Sequence, residues 1–208
     1  PNVVAIVRGS GGGRGLMLNA HLDTVGPGGM TDPFTPRVEG NRLYGRGAYD
    51  MKASLAAIML VAAAAKRRSW RGDLVVTAVV DEEYGSIGTA AVAANSSLMS
   101  RVDAAIVTEP TGLNLCIAHN GFVWFTITTH GVAAHGSRPD LGSDAIAAMG
   151  PILTAITAYD RVLQRRPRAT PRYPASIHAS TIRGGQELSS YPKSCVLEVE
   201  RRTTPEEA

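Results

Sequence analysis

Short apolar runs alternate with polar breaks along the first half of the chain. Residues 3–7 and 16–19 are brief apolar or β-branched runs on either side of a glycine cluster at residues 9–15. Each reads as a strand. The glycine cluster lacks the Gly-Lys-Ser/Thr ending of a phosphate loop and no helical pattern follows it, so a flexible turn is expected there. Residues 51–68 are rich in Ala, Leu, Ile and Met and close on Lys66-Arg67-Arg68. That composition predicts a helix buried on most sides, with cations placed favourably at its C-terminus. Residues 74–80 are a continuous apolar run stopped by Asp81, which reads as a buried strand; residues 87–94 read as a helix and 104–108 as a further short strand. Strand and helix alternate, and this order predicts an α/β fold on a mostly parallel sheet.

The pattern changes near residue 115. Residues 115–118 and 122–129 read as adjacent strands, the second with strict alternation of Phe122, Trp124, Thr126 and Thr128 against Val123, Phe125, Ile127 and Thr129. A helix is expected over 143–159, then a Pro/Arg-rich loop over 165–174, and strands over 176–182 and 195–199. This order predicts a smaller α+β domain on an antiparallel sheet, of ferredoxin-like type. Thr204, Pro205, Glu206 and Glu207 suit the start of one more helix, as N-cap, first position and first-turn acids. The chain stops at Ala208, so a fragment of a longer polypeptide is expected.

Composition narrows the picture. Twenty-one Lys and Arg against eighteen Asp and Glu leave a net charge of +3, and 44% of residues are hydrophobic. These are globular values, which exclude a disordered or collagen-like chain. Cys116 and Cys195 are too few for a disulfide framework and are expected as reduced, buried thiols. The longest apolar run, residues 55–65, is about half a membrane span, so no membrane partner is expected. No secretory signal opens the sequence, and a cytoplasmic location is expected. The Arg165-Arg166-Pro167-Arg168 cluster has no aromatic interleaving and reads as a solvated surface, so no nucleic-acid partner is expected either.

The chemistry lies in four clusters, each placed after an apolar run: His21-Leu22-Asp23, Asp50, Asp81-Glu82-Glu83 and Glu109-Pro110. Strand ends of an α/β sheet project side chains into the crevice where ligands bind. Bringing Asp50, Glu83 and Glu109 together without a cation is strongly unfavourable, since like charges in one site force protonation or separation. Two divalent ions balance three carboxylates and one bridging hydroxide, with neutral imidazoles adding nothing. In the extended pair His21-x-Asp23 the side chains point the same way, so Asp23 can accept from one ring nitrogen of His21 while the other binds metal. Singly, each cluster has a plainer reading: a surface turn for His21-x-Asp23, a helix N-cap for Asp50, solvated turn charges for Glu82-Glu83, and a loop residue for Glu109. Four in order argue for a common site.

The segments Ala20-His21-Leu22-Asp23-Thr24-Val25, Gly45-Arg46-Gly47-Ala48-Tyr49-Asp50-Met51-Lys52, Asp81-Glu82-Glu83-Tyr84-Gly85 and Thr108-Glu109-Pro110-Thr111 together resemble the motifs of the M20 zinc amidohydrolases. That family includes acetylornithine deacetylases, succinyl-diaminopimelate desuccinylases, aminoacylases and carboxypeptidase-type enzymes. The resemblance implies a catalytic metal-binding domain over residues 1–116 and a lid or dimerisation domain over 117–208. It implies two divalent metal ions, zinc first with cobalt or manganese as alternatives. Asp50 would bridge the two, with His21 and Glu109 on one and Glu83 on the other. Glu82 would be the general base, with Asp23 completing the catalytic set. Gly131-Val132-Ala133-Ala134-His135-Gly136-Ser137-Arg138-Pro139 resembles the lid motif, whose His135 would reach a neighbouring subunit's site and stabilise an oxyanion. Arg202 stands where relatives place an arginine that clamps a substrate carboxylate.

The implied activity is hydrolysis of an amide bond in an N-acyl amino acid or short peptide, by a homodimer joined through the lid. The alternative is a truncated or non-catalytic homologue that binds metal or dimerises without turnover. Three positions depart from the family pattern: Ala53 replaces a common glycine, Ser86 interrupts a double glycine, and Ser190 stands where asparagine is frequent. His119, His130 and His178 match no ligand motif and are expected to be structural. A further metal-ligating His expected far downstream is not in this sequence.

Overall fold

In the computed structural model, strands β1 (Val3–Val7), β2 (Leu16–His21), β5 (Leu74–Val79) and β6 (Ala104–Val107) form one sheet in the order β1-β5-β2-β6. The structure describes residues 1–166 and 174–207. Strand β2 pairs parallel to both β5 and β6, and β1 pairs antiparallel to β5. The glycine cluster is therefore not a hairpin between paired neighbours. It passes beneath the start of β5, where Ser10 and Gly11 donate to the carbonyls of Trp70 and Arg71. Gly15 permits the closest approach, since a Cβ there would lie 1.8 Å from the carbonyl oxygen of Arg101. The chain forms two compact units, Pro1–Leu115 and Cys116–Ala208.

Strands β2 and β5 read as unbroken apolar runs because both of their faces are covered. On one face Met17, Val75 and Val79 pack with Val92 of α2 (Ile87–Ala94) and Leu98 of α3 (Ser96–Met99). On the other, Leu18, Ala20 and Val76 pack with Met51 and with Ile58 of α1 (Ala53–Ala65). Each buried Val, Leu, Ile or Met side chain among these contributes about 1.5–3 kcal/mol, and the Ala20 methyl less. A hairpin of β3 (Arg37–Glu39) and β4 (Arg42–Tyr44) precedes a wide helical turn, Ala48–Lys52, that leads into α1.

The helix expected over residues 51–68 is thus shorter, because Asp50 and Met51 have non-helical dihedrals. It is also less buried than expected. Only Ile58 and Ala65 are fully covered, while Met59 and Leu60 are 61% and 72% exposed. Its remaining faces have no packed layer among the described residues. Ala48–Ala65 and Ala145–Gln164 are long and apolar enough to cross a membrane by length and composition alone. The first is broken at Asp50 and Met51, and the second packs on the sheet of its own unit.

The second unit is built from β7 (Phe122–His130), α4 (Ala145–Gln164), β8 (Ser176–Gly184) and β9 (Ser194–Arg202). Its sheet runs β7-β9-β8, antiparallel throughout. Asp144 caps α4 by accepting from the amides of Ile146 and Ala147. Met149 and Leu163 of the helix meet Ile177, Cys195, Leu197 and Val199 of the sheet.

Residues 115–118, expected as a strand, are irregular, and Leu115 and Ile117 lie almost fully exposed. An apolar run forms a strand only where a neighbouring ladder receives its backbone. Cys195 is buried, whereas Cys116 is exposed and not the buried thiol expected; both are free. Pro205–Glu207 form one short turn, with Glu207 accepting from the Thr204 amide. Most of the loop expected over residues 165–174, Pro167 and Arg168 included, lies outside the described residues.

Candidate metal centre

The parallel strands place their carboxyl ends side by side, and the candidate site sits there. His21 is the last residue of β2 and is 1% exposed. Backbone and side-chain contacts hold it from several directions. Its amide donates to the sulphur of Met51 at 3.2 Å. The next residue, Leu22, donates to Val79 of β5, and its carbonyl accepts from Lys52 Nζ at 2.6 Å. Nδ1 of His21 donates to the carbonyl oxygen of Asp23 at 2.9 Å. A carbonyl can only accept, so this bond fixes the proton on Nδ1 and turns Nε2 toward the cleft.

Nε2 meets three carboxylates. Asp50 Oδ1 lies at 3.0 Å, and Glu82 Oε2 and Glu109 Oε1 each lie at 3.9 Å. Asp50 comes from the wide turn before α1, not from the end of a sheet strand as its place in the sequence suggested. Glu109 follows β6, and its loop is tied to β2 by Thr108, whose amide and hydroxyl both donate to the Asn19 carbonyl, the hydroxyl at 3.0 Å. One ligand atom from each of His21, Asp50 and Glu109 lies within 4.8 Å of the others, a group able to hold a metal ion.

The electrostatics of the group follow from its crowding. Burial and neighbouring carboxylates push Glu109 up to about 7, against the opposing pull of His21. Glu82 is raised for the same reasons, burial first. Burial pulls His21 down, but the Asp50 hydrogen bond and the charges of Glu109 and Glu82 outweigh it, leaving a net rise. A crowd of anions that partly protonates in the absence of a cation is the donor set a hard or borderline dication neutralises.

Glu83 stands outside the His21–Asp50–Glu109 group, and its Oε1 accepts from the Val25 amide at 3.3 Å. The Asp23 carboxylate does not make the expected bond to the imidazole. Its nearest oxygen is 3.7 Å from Nδ1, because the Asp23 carbonyl has taken that proton. The carboxylate instead accepts from the amides of Glu82 at 3.2 Å and Glu83 at 3.1 Å. Burial raises Asp23, but these amides hold it below the usual carboxylate range.

In the second unit, His135 Nδ1 accepts from the Ser137 amide at 3.2 Å and contacts the Ser137 hydroxyl at 2.8 Å. With Nδ1 accepting from a backbone N–H, the neutral ring carries its proton on Nε2 and offers a donor outward. Its backbone bridges to Ser190. Arg202 lies over the Phe122 ring at 5.4 Å, with Nε 3.3 Å from Glu200. Met51, Lys52 and Thr108 were not among the expected functional residues. Met51 reads as ordinary core, and nothing in a linear sequence marks a carbonyl that will receive a lysine or threonine.

A cleft of one imidazole and several carboxylates at the carboxyl edge of a parallel sheet defines a candidate divalent-metal centre on an α/β unit. Residues 17–205 match the family model described as Peptidase family M20/M25/M40, and the chain belongs to that family. An acetylornithine deacetylase of Buchnera aphidicola subsp. Acyrthosiphon pisum (strain Tuc7) is 30% identical over 210 residues, spanning 98% of this chain and 54% of the relative. The chain thus spans about half the length of the curated relatives it matches. A crystal structure of a tripeptidase from Staphylococcus aureus superposes with a TM-score of 0.64 at 23% identity, covering 99% of this chain and 53% of that one. A dinuclear metal-binding M20 peptidase from Bacillus subtilis superposes with a TM-score of 0.56 at 16% identity, over 99% and 52%. These two likenesses are of fold.

Proposed function

We propose that the full protein is a hydrolase, dependent on divalent metal, that cleaves the amide bond of an N-acyl amino acid or short peptide. The observation that carries this reading is the convergence of His21, Asp50 and Glu109 donor atoms within 4.8 Å. The name of the curated relative, an acetylornithine deacetylase, supports the reaction class. His21, Asp50 and Glu109 would hold one ion, with Asp50 and Glu83 toward a second; zinc is the ion of choice, and cobalt or manganese suits the same oxygen and nitrogen donors. When bound, the dications supply positive charge that neutralises the acids and polarises water and the amide carbonyl.

The chain's own residues supply proton transfer and placement. The raised Glu82 carboxylate takes a proton from the attacking water and delivers it to the leaving nitrogen as the C–N bond breaks. The products are one amine and one carboxylate, so water's atoms are fully accounted for. His135, with its donor on Nε2, would hydrogen-bond the developing oxyanion, and Arg202 would grip the substrate carboxylate in a two-pronged contact. A homodimer joined through the second unit is part of this reading.

The test is an assay of the full-length protein on acetyl-, succinyl- and peptidyl-amino acids, before and after chelation and metal return. Hydrolysis of one substrate class, lost on chelation and restored by zinc, cobalt or manganese, is expected. Turnover that survives complete metal removal, or metal-loaded protein inert on every substrate class, would overturn it.

A further inference from the structure

We infer that Asp23 is a two-ended positioning residue, whose backbone carbonyl sets the tautomer of His21 while its carboxylate fixes the turn that carries Glu82 and Glu83. The pattern that points to it is a division of labour within one residue. Asp23 O receives Nδ1–H of His21 at 2.9 Å. Its Oδ1 receives the Glu82 amide at 3.2 Å and its Oδ2 the Glu83 amide at 3.1 Å. Both carboxylate oxygens are thus committed to two successive amides across 59 and 60 residues of sequence. The imidazole lies beyond hydrogen-bond reach of the carboxylate, at 3.7 Å.

The need for such a tether follows from the turn itself. It begins at Asp81, a non-glycine residue with φ of 62°, and ends at Ser86 with φ of 53°. Two left-handed residues bracket the Glu pair, a conformation that costs about 1–2 kcal/mol per residue and persists only where its surroundings impose it. Asp81 secures the far end by accepting, through its backbone carbonyl, from the amides of Gly85 and Ser86. Asp23 secures the near end from across the sheet edge. Because charged acceptors make the stronger amide bonds, one carboxylate registers the Glu82-Glu83 turn against the His21 strand. A sequence pattern of His-x-Asp suggests a carboxylate serving the imidazole; here the side chain serves the opposite wall of the cleft.

The metal arm of the test rests on the proposed function; the other arms use metal-free protein and do not. In perdeuterated, isotope-labelled full chain, hydrogen-bond couplings are expected from the Glu82 and Glu83 amide nitrogens to the Asp23 carboxylate carbon. In Asp23→Asn the side-chain NH2 faces one of those amides, so exchange of Glu82 or Glu83 should quicken by about tenfold, the loss of roughly one hydrogen bond. The His21 ring should keep its Nδ1–H nitrogen-shift pattern, because the backbone carbonyl is untouched. Uptake of a second metal equivalent by Asp23→Asn should weaken by about 10-fold or more, as for other losses behind a ligand.

Wild-type protein lacking both couplings, or an Asp23→Asn protein whose His21 tautomer changes while the Glu82 and Glu83 amides keep their wild-type exchange, would overturn the inference. Should wild-type protein bind no metal while the couplings are present, the metal reading fails and the tether stands. The couplings are read on wild-type protein, so a variant that fails to fold leaves the inference open to refutation.

Discussion

Among single side chains, Glu109 registers most directly what the cleft is built to accept. Burial and its acidic neighbours push it up to about 7, so in metal-free protein it holds a proton through the mildly acid range. A metal ion requires the carboxylate, and binding must expel that proton. Affinity should therefore fall by about tenfold per pH unit for each proton displaced as pH drops below about 7. Competition with a chromophoric chelator between about pH 6 and 8, spanning about one unit either side of that value, measures this; a flat profile contradicts it. Glu82, also raised and 3.9 Å from His21 Nε2, is proposed as the proton-transfer group and not as a metal ligand. Glu82→Gln should lower kcat by about a hundred- to ten-thousandfold while metal content, read by atomic emission, stays at the wild-type level.

Among elements, the legibility of the fold followed burial. Strands β2 and β5 stood out because both faces are covered, so their sequences are apolar without a break. Helix α2 ran over the expected residues 87–94. The β3–β4 hairpin escaped notice, since its short strands expose Arg37, Val38, Arg42 and Leu43 and carry no burial pattern. Residues 115–118 misled in the opposite sense, with strand-like composition and no ladder to join.

In the site, His21 and Glu109 were legible because each follows an apolar run, whereas Asp50, carried by the turn before α1, was legible only because like charges need a common reason to meet. What remained hidden was backbone chemistry: the Met51 sulphur under the His21 amide, and the Asp23 carbonyl in the place its carboxylate was expected to take. The turn ending at Ser86 supplies an element-scale prediction. Its φ of 53° favours glycine, so Ser86→Gly should stabilise the protein by roughly 0.5–1 kcal/mol, read as a higher denaturation midpoint at unchanged slope.

At the scale of the whole molecule, the acids of the first unit collect near the ends of its parallel strands, and their repulsion opposes folding, a cost that a bound cation would relieve. Metal should act as a folding ligand for residues 1–115 and leave the second unit unaffected. At about a hundred times Kd, zinc should add about 2.7 kcal/mol. Hydrogen exchange should slow on metal addition in β2, β5 and the Glu82-Glu83 turn, while α4 and β7–β9 keep their rates. Equal slowing in both units would contradict that division.

The claim beneath all of these is that one dication sits among His21, Asp50 and Glu109. Anomalous diffraction at the zinc edge from crystals of zinc-loaded full chain addresses it most directly. The expected result is a peak about 2.0–2.2 Å from His21 Nε2 and from a carboxylate oxygen of both Asp50 and Glu109. A zinc peak elsewhere, with these three side chains unligated, would contradict it.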